Sequence, residues 1–508
     1  MSKNLYSLFE SRFPAARDMA FIETPAGKTY SYADLETQSG RMARLLTSLG
    51  VKPGDRVAAQ VDKSPEAIFL YLACLRADGA YLPLNTAYQD AELGYFLEDA
   101  EPKVVVCQPS REAAARTLAE EAGVAEVLTL DAAGEGTLTE RSADLDPDVG
   151  CAAAEDGDLA AILYTSGTTG RAKGAMMSHG NLGSNALTLH EIWGFRPDDV
   201  LLHALPIFHT HGLFVATNCV LLNGTGMLFL PRFDTDTVID LLPRATVMMG
   251  VPTFYTRLLN HPGLTPERCA NMRLFISGSA PLLAETFEAF HARSGHAILE
   301  RYGMTETGMN TSNPLDGARF AGTVGLPLPD VEVRVAGEDG TILGPGEIGT
   351  LEVRGPNVFQ GYWRQLEKTA AEFRPDGFFI TGDLACIDER GYVQIVGRGK
   401  DLIISGGFNV YPKEVELVID GVSGVGESAV FGLAHPDFGE AVAAAVTTAP
   451  GAGGFSEAKI IDHVKAQLAN YKVPKRVFFV DALPRNAMGK VQKNQLREAY
   501  KDTFNVPA

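Results

Sequence analysis

The stretch Leu159-Ala-Ala-Ile-Leu-Tyr-Thr-Ser-Gly-Thr-Thr-Gly-Arg-Ala-Lys-Gly174 joins a short apolar run to a loop crowded with hydroxyls and glycines. The apolar half reads as a strand buried on both faces, the kind found in parallel sheets. In the second half Thr165, Ser166, Gly167, Thr168 and Thr169 precede Gly170, Arg171 and Lys173. Glycines let backbone N–H groups converge on an anion, hydroxyls donate hydrogen bonds, and lysine adds charge, so the loop predicts phosphate binding at a strand end. It is not a Walker A loop, because Gly174 stands where that motif needs Ser or Thr after the lysine.

The same texture extends outward. Arg56–Val61 reads as a strand, and Ser64–Arg76 as a helix capped by Ser64 with Pro65 at its first position. Further strands are expected at 79–84, 103–107, 246–250 and 274–277. Strands alternating with helices predict an α/β fold, a large domain of stacked αβ subdomains. From Val331 the segments become short, alternating and separated by Gly, Pro and Asp, which predicts hairpins and a small distorted barrel. Gly397-Arg-Gly-Lys-Asp401 suits a hinge. Residues 1–398 are therefore read as the large domain and 399–508 as a small, mobile α+β domain.

Composition bounds the function. The chain of 508 residues is 45% hydrophobic and 21% charged, the proportions of a globular protein. A net charge of -19 argues against nonspecific nucleic-acid binding, which needs a basic surface. The six cysteines show no metal-ligand or redox spacing. No secretory signal or membrane-spanning apolar run is legible, so a cytoplasmic protein without stable membrane association is expected.

Other motifs follow in order: Ser277-Gly-Ser-Ala-Pro281, Glu300-Arg-Tyr-Gly-Met-Thr-Glu306, Thr381-Gly-Asp383, Gly397-Arg398, Ser405-Gly-Gly-Phe-Asn409 and Pro484-Arg-Asn-Ala-Met-Gly-Lys490. With the opening loop, this series resembles the acyl-adenylate-forming superfamily of acyl-CoA synthetases, luciferases and peptide-synthetase adenylation domains. The resemblance implies ATP, Mg2+ and CoA as reaction partners. It assigns the nucleotide to Thr165, Ser166, Gly167, Thr168, Thr169, Lys173, Ser279, Ala280, Pro281, Glu300, Arg301, Tyr302, Gly303, Met304, Thr305, Asp383, Arg398 and Lys490. Thr165 and Glu306 are expected to hold the metal. Lys490 is expected to bridge the attacking carboxylate and the α-phosphate, and Asp383 to accept from the ribose hydroxyls. The resemblance makes Lys400 the hinge and Gly406, Gly407 and Phe408 the path of the CoA thiol arm. Physical chemistry agrees, because joining two anions is mainly charge neutralisation and alignment.

The acid is read from a second group of residues. His209 matches an active-site histidine common in the family. His209, Thr210, Arg257, Ser277 and Met309 form the expected substrate wall, which is too polar for a fatty or aryl acid. A second carboxylate on the substrate would need a cation. Arg257, four residues after Thr253 on one helix face, is the first choice, with Arg301 and Arg232 as alternatives. Gly308 is read as a tolerant position. The strings His203-Ala-Leu-Pro-Ile-Phe-His-Thr-His-Gly212 and Glu300–Asn310 resemble the malonyl-CoA synthetase branch, which implies malonate and often methylmalonate as substrate. The alternatives are another short-chain carboxylate, or loading of a separate carrier protein. A lysine acetyltransferase acting on Lys490 is the expected regulatory partner, since acetylation removes its charge.

Overall fold

The computed structural model describes residues 3–165, 171–280, 282, 284–337, 339–398, 403–410, 412–448, 456–484 and 491–504. The chain divides into two compact units. The first comprises Met1–Thr86, Phe96–Leu163 and Gly174–Gly397; the second comprises Ala87–Tyr95, Tyr164–Lys173 and Arg398–Ala508.

The first unit is built on two large sheets. One has six strands in the order Glu126–Thr129, Val104–Cys107, Arg56–Gln60, Ala80–Pro83, Leu159–Thr165 and Lys173–Ser178. The other has nine, and at its centre Leu299–Met304, Leu274–Ser277, Val247–Gly250, Val200–His203 and Gly226–Phe229 run parallel. Every residue of Val104–Cys107, Val247–Gly250 and Leu274–Ser277 is buried, so the continuous apolar runs are strands covered on both faces, as expected. The helix Pro65–Arg76 begins as predicted, the Ser64 hydroxyl accepting from the Ala67 N–H at 3.1 Å. All twelve of its residues are buried, which matches a helix that is apolar all round. The hairpin-rich region forms a four-stranded antiparallel sheet, in the order Glu332–Ala336, Gly349–Arg354, Phe379–Ile387 and Val393–Arg398.

In the second unit the hairpin Val425–His435/Gly439–Thr448 is extended by Arg476–Phe479, which runs parallel, and by the small hairpin Ile403–Ser405/Phe408–Val410. The helices Pro412–Asp420 and Glu457–Lys465 bury Val415, Ile419, Ile460 and Val464 in its core. Among the described residues no helix is long and apolar enough to cross a membrane.

Function-bearing residues of the first unit gather where parallel strands end. His203, Gly250 and Ser277 are the last residues of three neighbouring strands. Ligands bind open parallel sheets at this carboxyl edge.

Candidate active site

Ser277 leads into Gly278 and Ser279, and Ser279 holds a φ of +71°, the left-handed region that non-glycine residues rarely occupy. The neighbouring strand Leu299–Met304 supplies Glu300 and Arg301, which point to opposite faces as adjacent strand residues must. Glu300 is buried, and its Oε1 accepts from the Leu282 N–H at 3.0 Å. Burial pushes its carboxyl up to about 7. Arg301 is 2% exposed, and its Nε and Nη2 have no hydrogen-bond partner among the described residues. Burial pulls its guanidinium down to about 9, so it remains a cation at neutral pH. It lies against Gly278, where an added Cβ would stand 2.4 Å from its Cζ. Glycine is what leaves room for the guanidinium there.

Two histidines face this cation. His209 is lowered to about 4 by burial and by the Arg301 charge. His211 is held well below its ordinary range by the same two causes, followed by the other histidines. Both rings are thus neutral at pH 7. The His209 Nδ1 accepts from the His211 N–H at 3.3 Å, and the His211 Nδ1 lies 3.2 Å from the Ser279 hydroxyl. The Thr210 hydroxyl, the Ser277 hydroxyl and the His211 Nε2 are buried without hydrogen-bond partners among the described residues. One cation and three polar atoms without partners among the described residues thus lie in this buried cluster.

Met309 lies on the strand Gly308–Ser312, which pairs antiparallel with Leu299–Met304. Its backbone is clamped by Asn185, whose Oδ1 accepts from the Met309 N–H at 3.0 Å and whose Nδ2 donates to the Met309 carbonyl at 2.9 Å. Asn357 Nδ2 reaches the same carbonyl at 3.1 Å. Gly308 is not tolerant in this setting: its φ is +57°, and a Cβ would stand 2.7 Å from Asn185 Oδ1.

The three candidate arginines differ in burial. Arg257 lies on the helix Pro252–Leu259, but that helix buries Tyr255 and Leu258, and Arg257 is on its exposed face. Arg232 is exposed as well. Arg301 alone of the three is buried beside the histidines.

The nucleotide-side carboxylates are already engaged. The Tyr302 hydroxyl donates to Asp383 Oδ2 at 2.5 Å, and the Asp383 N–H lies 3.1 Å from the Thr381 hydroxyl. Glu306 is buried, and its Oε1 accepts from the Tyr362 hydroxyl at 3.1 Å. The same hydroxyl lies closer to Glu372 Oε2, at 2.7 Å, so its single proton is shared between two carboxylates, and burial followed by these two carboxylates drives its phenol far above the usual range. Ala280 follows Ser279, Gly303 and Met304 end the strand Leu299–Met304 and Thr305 comes next, all partly exposed.

In the second unit the described ends of the opening loop are braced by Tyr95. Its hydroxyl donates to the Ala172 carbonyl at 2.7 Å, its ring meets Tyr164 edge-on, and Arg171 lies over it at 5.3 Å. Thr165 is partly exposed and Lys173 is buried at the start of its strand. Gly406 and Gly407 form a two-residue hairpin turn with φ of +58° and +83°, so the turn itself requires the glycine pair. Phe408 stacks on Tyr471 with ring centroids 4.6 Å apart. Ser166, Gly167, Thr168, Thr169, Pro281, Lys400, Lys490 and the Arg398 side chain lie outside the described residues.

Asn185, Asn357 and Tyr362 contact these candidate residues and were not singled out in the sequence reading, which had counted the second histidine of the string toward a polar pocket. These three arrive from distant segments and carry no local signal.

Comparison with known proteins places these features in a family. The model of the AMP-binding enzyme matches residues 10–363, and that of the AMP-binding enzyme C-terminal domain matches 414–490. The ATP-bound crystal structure of MatB from Rhodopseudomonas palustris is 58% identical with a TM-score of 0.79, covering 99% of this chain and 100% of that one. A malonyl-CoA ligase in a ternary product complex with methylmalonyl-CoA and AMP is 36% identical, with a TM-score of 0.81 and coverage of 94% and 100%. A feruloyl-CoA synthase from an Amycolatopsis species is also 36% identical, over 93% of this chain and 94% of its own length.

Proposed function

This chain belongs to the AMP-binding enzyme family, and on that premise we propose that it is an AMP-forming acid–CoA ligase acting on malonate, with methylmalonate as a second substrate. Relatives of equal identity are named for malonyl and for feruloyl substrates, so the acid has to be argued from the pocket. The observation that carries the reading is Arg301. Its uncommitted Nε and Nη2 form the side-on fork of the guanidinium, which takes a carboxylate through two parallel hydrogen bonds. A buried charge without a partner is costly, and a dicarboxylate would supply that partner when it binds. An aryl acid such as ferulate would leave the fork unsatisfied.

In this reading one carboxylate pairs with Arg301 and the other attacks the α-phosphate, forming the C–O–P bond as pyrophosphate leaves. The CoA thiol then attacks the acyl carbon, forming the thioester as AMP leaves and the thiol proton passes to solvent. His209 and His211, neutral at pH 7, can hydrogen-bond the acid without adding a competing charge. Asp383, fixed by Tyr302, is assigned to the ribose hydroxyls, and Lys490 to the bridge between carboxylate and phosphate. Glu306 and Thr165 offer the oxygen donors that suit Mg2+. Among the described residues no cluster of three or more His, Cys, Asp or Glu could hold a metal by protein groups alone, so most ligands would come from phosphate and water. Bound there, the ion would neutralise phosphate charge. A cytoplasmic location, Lys400 as the hinge, the Gly406–Phe408 thiol path and acetylation of Lys490 are further parts of this proposal.

A substrate panel tests it. AMP release is measured with ATP and CoA against malonate, methylmalonate, succinate, propionate and ferulate. Malonate should give the highest kcat/KM, and AMP release should require CoA. Propionate or ferulate matching malonate would sink the dicarboxylate assignment, and CoA-independent turnover would point to a carrier-loading enzyme.

A further inference from the structure

Lys63 follows the strand Arg56–Gln60, and no carboxylate pairs with it among the described residues. Its Nζ lies 2.9 Å from the Nδ1 of His203 and 2.9 Å from the His203 carbonyl, and it sits over the Phe229 ring at 4.3 Å. His203 is 1% exposed. Its Nε2 lies 2.9 Å from the Gly212 carbonyl, which also accepts from the Thr217 hydroxyl at 2.9 Å. A carbonyl can only accept, so Nε2 must carry the proton and Nδ1 must accept from Lys63. Lys63 and the Gly212 carbonyl thus hold the imidazole in one tautomer from its two sides, Lys63 by occupying Nδ1 as an acceptor and Gly212 by taking the Nε2 proton.

Gly212 closes the loop that carries His209, Thr210 and His211. A Cβ there would stand 2.0 Å from the Pro206 carbonyl, so the chain doubles back on itself at this residue. From here it runs as a π-helical turn, His211–Thr217, in which Thr217 reaches back five residues to the Gly212 carbonyl. Such turns recur at functional sites because they displace side chains from a regular helix face. Among the described residues the side chains that meet the Gly212 carbonyl are the Thr217 hydroxyl, from within the turn, and the His203 ring, from outside it.

We propose that Lys63 and His203 form a positioning relay that sets the loop Pro206–Gly212 and hence the acid pocket. The relay rests on the reading of that pocket as the acid site. Neither residue touches the reacting atoms.

Two measurements test it on the full-length protein. The first is 15N NMR of histidine-labelled protein without substrate. Wild type should show His203 in the Nε2–H form, and Lys63→Met should move it toward a mixture with Nδ1–H. The second is kinetics with the acid the enzyme prefers. Lys63→Met should raise the KM of the acid about tenfold, the effect of roughly one lost hydrogen bond, and leave the KM of ATP unchanged. In the background of His203→Gln, whose amide donates to Gly212 without help, Lys63→Met should add little. Lys63→Gln keeps an amide donor and should retain both the tautomer and the KM; it serves if the methionine variant does not fold. An unchanged tautomer in Lys63→Met overturns the relay. A shifted tautomer with unchanged acid KM, or equal rises in both KM values, overturns its link to the pocket. The preference for dicarboxylates is read separately from the wild-type panel, so its failure leaves both arms legible.

Discussion

The acid pocket and the nucleotide-side segments of the first unit commit their buried polar groups to different degrees. Around Arg301 the guanidinium fork, two hydroxyls and one imidazole nitrogen have no hydrogen-bond partner among the described residues. At Asp383 and Glu306 the carboxylates each take a tyrosine hydroxyl. In the proposed function the family's shared chemistry falls on the second region, and groups fixed there in advance would lower the cost of orienting a common substrate. The variable acid falls on the first region, where unmet hydrogen-bonding capacity selects whichever substrate completes it.

Removing the guanidinium should break that contrast most severely. Arg301→Met leaves the distal carboxylate of malonate buried without a partner. We expect kcat/KM for malonate to fall by about two to three orders of magnitude, the scale of truncating a buried charge pair. Turnover of propionate, which lacks the second carboxylate, should fall far less. An equal loss on both acids would show that Arg301 supports the fold rather than the choice of acid.

Glu300 sharpens the comparison from the other face of the same strand. It is buried like Arg301, yet one oxygen is committed to Leu282 while Oε2 has no partner among the described residues. Its carboxyl titrates near about 7 against an ordinary value of 4.5. Between those values the folded protein keeps a proton that the unfolded chain has released, so stability should fall as pH rises through the window. Glu300→Gln keeps an acceptor for Leu282 and removes the ionisation. Its Tm should match wild type at about pH 4.5 and exceed it above pH 7, by a few kcal/mol of stability on the order of that shift. A Tm difference that does not change with pH refutes the assignment.

On the nucleotide side the expected loss is smaller. Tyr302→Phe deletes one hydrogen bond to Asp383 and so holds the carboxylate less firmly. The KM for ATP should rise about tenfold or less, with the KM for malonate unaffected. A rise confined to malonate would reverse the assignment of the two regions.

What was legible in the sequence follows this same division. Strands buried on both faces appear as unbroken apolar runs, so Leu159–Thr165 and Leu274–Ser277 could be read directly. The ordered motifs were equally local. The pocket is not local. Asn185 reaches Met309 across 124 positions, and Asn357 reaches the same carbonyl across 48. Neither asparagine sits in a motif, and only the fold brings them together. The requirement for glycine at 308 was hidden for the same reason, since Asn185 imposes it.

Arg257 provides the smallest expected effect and the strictest comparison with Arg301. The spacing of Thr253 and Arg257 put both on one helical face, but spacing does not say which face is buried. On an eight-residue helix that choice belongs to tertiary packing, and here Tyr255 and Leu258 take the inside. Arg257 is exposed, where charge is solvated and screened and a single interaction is worth little. Arg257→Ala should therefore change kcat/KM for malonate by no more than about twofold, within the roughly 0.5 kcal/mol typical of surface substitutions. The same assay run beside Arg301→Met makes the contrast quantitative. If the alanine variant instead loses malonate turnover while keeping its Tm, a residue outside the buried pocket is selecting the acid, and burial without a partner is not what defines the site.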